Sequence, residues 1–171
     1  MEPYTARDIA RFTVLKALDR RMYLSMTQLC NILVIAWMRH YAMTGYDLFE
    51  VEGIRGWCYG FKIKEVWWDR CCSGAQLLFC SRRPEEDIAS DRVVSSLIDR
   101  MLDEYGKLSN MESRDQLGYD PWLKWYMTER KEIGRTMLIM LSDEYFTGKD
   151  EPRSEGSIMD RIRGLLHLGR A

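Results

Sequence analysis

Histidine is nearly absent from this chain: two occur in 171 residues, His40 and His167. Histidine is the side chain most often recruited for proton transfer near neutral pH, so its scarcity narrows the catalytic options. His40 falls on the apolar side of a predicted helix and reads as a core residue with one hydrogen bond. His167 falls in the last turn of a predicted C-terminal helix, where a donor suits the exposed carbonyls. Basic runs are missing too, none exceeding two residues. Net charge is −1 with 30% charged residues. That balance gives no long-range pull toward nucleic acid or anionic lipid. The longest clean apolar run, residues 32–38, is far short of the ~20 residues a membrane span needs. The N-terminal stretch mixes Arg7, Asp8, Arg11, Lys16 and Asp19 with apolar residues, which does not fit a signal peptide. The expected location is the cytoplasm.

Catalytic and metal-binding signatures are equally scarce. The five cysteines, Cys30, Cys58, Cys71, Cys72 and Cys80, contain no Cys-x-x-Cys pair. They read as reduced, mostly buried thiols, with no metal expected. There is no Gly-x-Ser-x-Gly elbow, phosphate-cradling glycine loop or His-Glu-x-x-His motif. Cys30 and His40 share a predicted helix, and the rise between them puts them ~15 Å apart, too far for a nucleophile and its base. The expectation is a protein that is not an enzyme and needs no cofactor.

What is present is material for a helical core. Apolar residues make up 46% of the chain. A globule of this length buries roughly 70% of its unfolded surface. Thr5 to Asp8 forms a capping box before Ile9, Phe12, Leu15, Leu18 and Met22 at helical spacing, and that helix is expected to stop near Arg21. Ser25 to Gln28 forms a second box, opening a helix that Gly45 closes. That helix carries one stripe of Leu29, Ile32, Leu33, Ala36, His40 and Met43, and another of Cys30, Val34, Trp37 and Tyr41. Apolar residues on both faces mark it as the buried central helix. Residues 47–62, broken by Gly53, Gly56 and Gly60, predict short strands or a hairpin, with a helix from Ile63 to about Ser73. Residues 81–90 predict a loop around Pro84. Ser90 or Asp91 caps a helix bearing Val93, Val94, Leu97, Ile98, Met101, Leu102 and Tyr105, ended by Gly106. Further helices are predicted from Ser109 to Leu117, from Pro121, and from Arg135 to Phe146, the last with Met137, Leu138, Leu141 and Tyr145 inward. The fold class is therefore mainly α: a compact single-domain helical fold over residues 1–147 with a small extended or β-hairpin insert at 47–62. A polar linker at 148–157 and an amphipathic helix at 158–171 follow.

The segment WCYGFKIKEVWW, residues 57–68, concentrates five aromatics in twelve positions. Arg55, Lys62, Lys64 and Arg70 interleave with them as in a base-stacking surface, but Glu65 and Asp69 sit among them and argue against nucleic acid. A protein partner fits better. Successive helical side chains point ~100° apart. If Val66 or Trp67 faces the core, Trp68 turns toward the rim, where tryptophan is common at interfaces. One candidate docking patch therefore comprises Trp57, Tyr59, Trp67 and Trp68, with Trp122. Within it Trp57 and Trp122 are expected mainly as core pins and Trp68 as partly exposed. A second candidate is the narrow stripe Ile158, Ile162, Leu165 and Leu166, docking on a partner or a second copy, or folding back on its own domain.

The order of these elements resembles the Panacea antitoxin domain, a family of SocA-like, phage-associated proteins. The stretches that carry the resemblance are MTQLCNILVIAWMRHYAMTGYDLF (26–49), WCYGFKIKEVW (57–67), MLDEYGKLS (101–109), LGYDPW (117–122) and IMLSDEYF (139–146). The chain departs from the family pattern where a lysine is replaced by Cys30 or Asn31, where a Gly-Pro turn has become Gly60-Phe61, and where a second proline has become Lys64. The resemblance implies a mostly helical, non-enzymatic protein that neutralises a toxin by direct binding. A phage or prophage regulatory adaptor binding a host protein is the alternative, and an enzyme with an unrecognised site the third reading. Met22, Met26, Met38 and Met43 cluster around the central helix; such flexible thioethers suit a repacking surface or simply fill core gaps.

Overall fold

Both N-terminal helices begin where their capping sequences place them. The computed structural model describes residues 4–57, 59–69, 86–109, 112 and 132–142. Helix α1 spans Ala6–Asp19, and the Thr5 hydroxyl accepts the Asp8 amide at 3.1 Å. It ends in a Schellman turn: Arg21 takes a left-handed φ of 57°, Arg21 N–H reaches the Leu18 carbonyl, and Met22 N–H reaches that of Ala17. Helix α2 spans Met26–Thr44 behind a complete capping box, with Ser25 Oγ accepting from Gln28 N–H and Gln28 Oε1 accepting from Ser25 N–H. Gly45 closes it at a φ of 73°.

Residues 29–38 of α2 are buried without interruption. The predicted central helix is therefore central, and α1 packs against it together with the elements that follow. Burial stops at Met38. Met43, predicted in the inward stripe, is 61% exposed, because the last turn runs past the packed elements. His40 is half-buried, and its Nδ1 donates to the Tyr46 carbonyl at 2.9 Å.

The segment after α2 returns across the core. Leu48 and Phe49 are buried, the Phe49 carbonyl accepts from Trp37 Nε1, and Tyr4 N–H pairs with the Leu48 carbonyl. Strands β1 (Ile54–Trp57) and β2 (Gly60–Ile63) then form the predicted hairpin, with Ile54 opposite Ile63 and Trp57 opposite Gly60. Helix α3 (Lys64–Asp69) follows directly. Its predicted continuation to Ser73 lies outside the described residues.

Helix α4 (Glu86–Ser90) stands where a loop was expected. Ile88 is 1% exposed, so tertiary burial holds a turn that local polarity disfavours. Helix α5 (Arg92–Tyr105) starts at Asp91, whose carboxylate accepts the Val93 and Val94 amides and the Tyr4 hydroxyl. Val94, Leu97, Ile98, Met101 and Leu102 face inward. Val93, also predicted inward, is exposed because it lies at the edge of that stripe in the first turn. Asp99 receives both Lys16 of α1 and Arg20, which caps that helix, at 2.7 Å. Arg39 of α2 reaches Glu104 of α5 at 2.6 Å.

Glu132–Ile133 form β3, a strand with no counterpart in the sequence reading. The sheet order is β2-β1-β3, all antiparallel. Helix α6 (Arg135–Ser142) buries Leu138 and Leu141 and bonds the Met38 carbonyl through Ser142. Arg135 grips Asp47 through two bonds of 2.6 and 2.9 Å. Ser109 and Glu112 exchange the bonds of a capping box, at the position where a helix start is predicted. The helix bodies beyond it, the linker 148–157 and the terminal helix lie outside the described residues. The fold is mainly α with a small three-stranded sheet.

A buried polar side chain of α2 bonds the hairpin. Asn31 is fully buried; its Oδ1 accepts the Phe61 amide at 2.9 Å and its Nδ2 donates to the Tyr59 carbonyl at 3.3 Å. Beside it, burial pushes the Cys30 thiol up to about 11, opposed in smaller measure by the Ile63 backbone. Gly60 has a φ of 136°, and a Cβ there would lie 2.0 Å from Asn31 Oδ1.

Gly60→Ala should therefore lower stability by about 2 kcal/mol or more, from backbone strain plus overpacking, read as a reduced urea midpoint. A second expectation concerns pH. The Arg39 hydrogen bond, with one from Arg100, holds the Glu104 carboxyl below its ordinary range. The folded state thus binds that proton less tightly than the unfolded chain. Its stabilisation is complete above the ordinary carboxylate pKa and lost as pH falls through the depressed value. Glu104→Gln should flatten the fall in melting temperature below about pH 5.

Candidate functional site

The pleat sorts the hairpin into two faces. Ile54, Gly56, Phe61 and Ile63 are buried, while Arg55, Trp57 and Lys62 point away from the core. Trp57 is thus half-buried on the outer face and is no core pin. The position facing inward beside it is Gly56, and the period of two leaves the indole outside. On α3 the same sorting follows the helical turn: Val66 is 1% exposed, Trp67 is half-buried, and Trp68 is 68% exposed, as expected for the rim residue.

These outward side chains line a groove of about 730 Å³. Lys62 occupies the space between two indoles, its Nζ 3.6 Å from the Trp57 ring centroid and 4.0 Å from that of Trp67. A cation on an aromatic face gains about 0.5–1 kcal/mol when exposed and about 2 when desolvated. Trp68, Lys64 and residues 51–53 complete the α3 and loop sides, and residues 132–134 the β3 side. Arg55 and Glu132 face each other across the β1–β3 register at 3.9 Å. Both are more than half exposed, so that pair contributes little.

Of the sequence-predicted docking residues, Trp57, Trp67 and Trp68 meet in this groove. Tyr59 does not line it; it sits at the hairpin tip, 47% exposed. Trp122, Ile158, Ile162, Leu165 and Leu166 lie outside the described residues. Lys62 was legible only as one of several interleaved cations. Its place between the indoles follows from the hairpin register, which sets it opposite Arg55 and on the face of Trp57.

The polar groups elsewhere assemble differently. Cys30 is buried and protonated at neutral pH, and His40 is engaged with the Tyr46 carbonyl. Among the described residues no group of three or more His, Cys, Asp or Glu side chains is placed to hold a metal ion. No described helix is long and apolar enough to cross a membrane. Comparison of the chain with protein-family models, curated proteins and solved structures gives no match.

The neighbouring positions Val66 and Trp68 should separate sharply on truncation. Trp68→Ala is expected to unfold within about 0.5 kcal/mol of the unaltered chain, whereas Val66→Ala should lose roughly 1–2 kcal/mol, both measured by urea titration.

Proposed function

We propose that this chain is an antitoxin-like binding protein that masks a protein toxin by direct contact through the groove of the outer sheet face. The observation that carries the reading is Trp68, 68% exposed on the wall of a groove already containing Trp57 and Trp67. An indole left in water by its own fold is available to bury apolar area against another molecule. Tryptophan, tyrosine and arginine dominate the residues whose removal weakens protein interfaces most. The resemblance to the Panacea antitoxin domain supports the same role, since it implies neutralisation without chemistry. Among the described residues Cys30 is buried with its thiol pushed up to about 11, and His40 bonds the Tyr46 carbonyl.

Masking requires that the groove be presented rigidly. Asn31 anchors the hairpin from below and Lys62 spaces two of its indoles, so the partner meets a largely preformed surface.

Co-expression with the product of the adjoining reading frame tests the role. Growth arrest caused by that product should be relieved by this chain, and the two should co-elute as a complex. Trp68→Ala should weaken the complex by about 30-fold or more, the scale of an interface hot spot. Full relief by Trp68→Ala, or the absence of any complex, sinks the proposal.

A further inference from the structure

Lys62 and Lys64 lie in the groove with no carboxylate within ion-pair distance among the described residues. Arg55 differs, since Glu132 stands 3.9 Å away. The two lysines also differ in rigidity. Lys62 is held between the Trp57 and Trp67 rings, which fix its ammonium before any ligand arrives. Lys64 is exposed, and its stem passes beside Gly53, where a Cβ would lie 2.8 Å from the Lys64 Cβ.

A positioned ammonium on an apolar bed offers its outward N–H donors to an anion at little further ordering cost. The indoles lower the local dielectric, so a charge arriving there interacts more strongly than it would on open surface. We infer that the groove recognises an acidic segment of a partner protein: an Asp or Glu carboxylate set on Lys62 and Lys64, beside an apolar side chain laid on Trp68. This specificity rests on the docking role proposed above and adds the chemistry of the docked segment.

Other occupants fit less well. A nucleic-acid strand carries a charge on every nucleotide and would set phosphates against Glu52 and Glu132, both exposed on the groove, whereas a segment with one carboxylate need meet only the lysines. A lysine-rich segment would meet two like charges. A methylated ammonium would need the space between the indoles that Lys62 already fills.

The test is selection of a random displayed peptide library on the full chain, followed by affinity measurement on synthetic winners by fluorescence anisotropy. Winners should be enriched in Asp or Glu next to Leu, Ile or an aromatic residue. Lys62→Met keeps the stem between the indoles but removes the charge, and should weaken them about tenfold; Lys62→Arg should restore most of the binding. Added salt should weaken binding to the unaltered chain more than to Lys62→Met. Winners that lack acidic residues yet are lost on Trp68→Ala overturn the acidic specificity and leave the docking role standing. Winners indifferent to Trp68→Ala overturn both. Tighter binding of oligothymidylate than of the peptides also overturns the inference.

Discussion

Asn31 is the hinge between the two parts of this molecule. It sits in the middle of a helix whose residues 29–38 are all buried, a place where a polar side chain costs stability unless its hydrogen bonds are met. They are met by the hairpin, with the Phe61 amide on one side and the Tyr59 carbonyl on the other. Leaving either group buried without a partner costs about 1–3 kcal/mol. The helix therefore needs the hairpin at this spot, and the hairpin cannot slide without orphaning both partners. Gly60 completes the fit, since any larger residue would occupy the space of the Asn31 amide.

From that anchor the surface follows by geometry. With the register fixed, the period of two places Trp57 and Lys62 on the outer face, and α3, starting directly after β2, brings Trp67 onto the same ammonium. Lys62 is thus a spacer as much as a charge. Its ammonium stands against both indoles in the groove that Trp68 also lines.

Helix starts were legible because their signals are local. Thr5, Ser25, Asp91 and Ser109 all bond the amides their sequences announce. The buried stretch of α2 was legible from apolar residues on both faces. What escaped were features decided by distant partners. Strand β3 is two residues long and exists only because Ile133 finds Ile54. Helix α4 is held by the burial of Ile88. Met43 and Val93 obey the helical period, but no described element packs over them. At the site the exposure of Trp68 follows from the ~100° step per residue, whereas the outward face of Trp57 is fixed only by the hairpin register that pairs it with Gly60.

The bond from the Phe61 amide to Asn31 has a further effect. That amide belongs to the outer edge of the sheet, the margin along which a foreign strand would add. A helix side chain plugs that margin from within. The hairpin is thereby sealed against zippering onto a neighbouring backbone there, and recognition on this side of the molecule must work through protruding groups, which carry sequence identity, and not through main-chain ladders, which carry none.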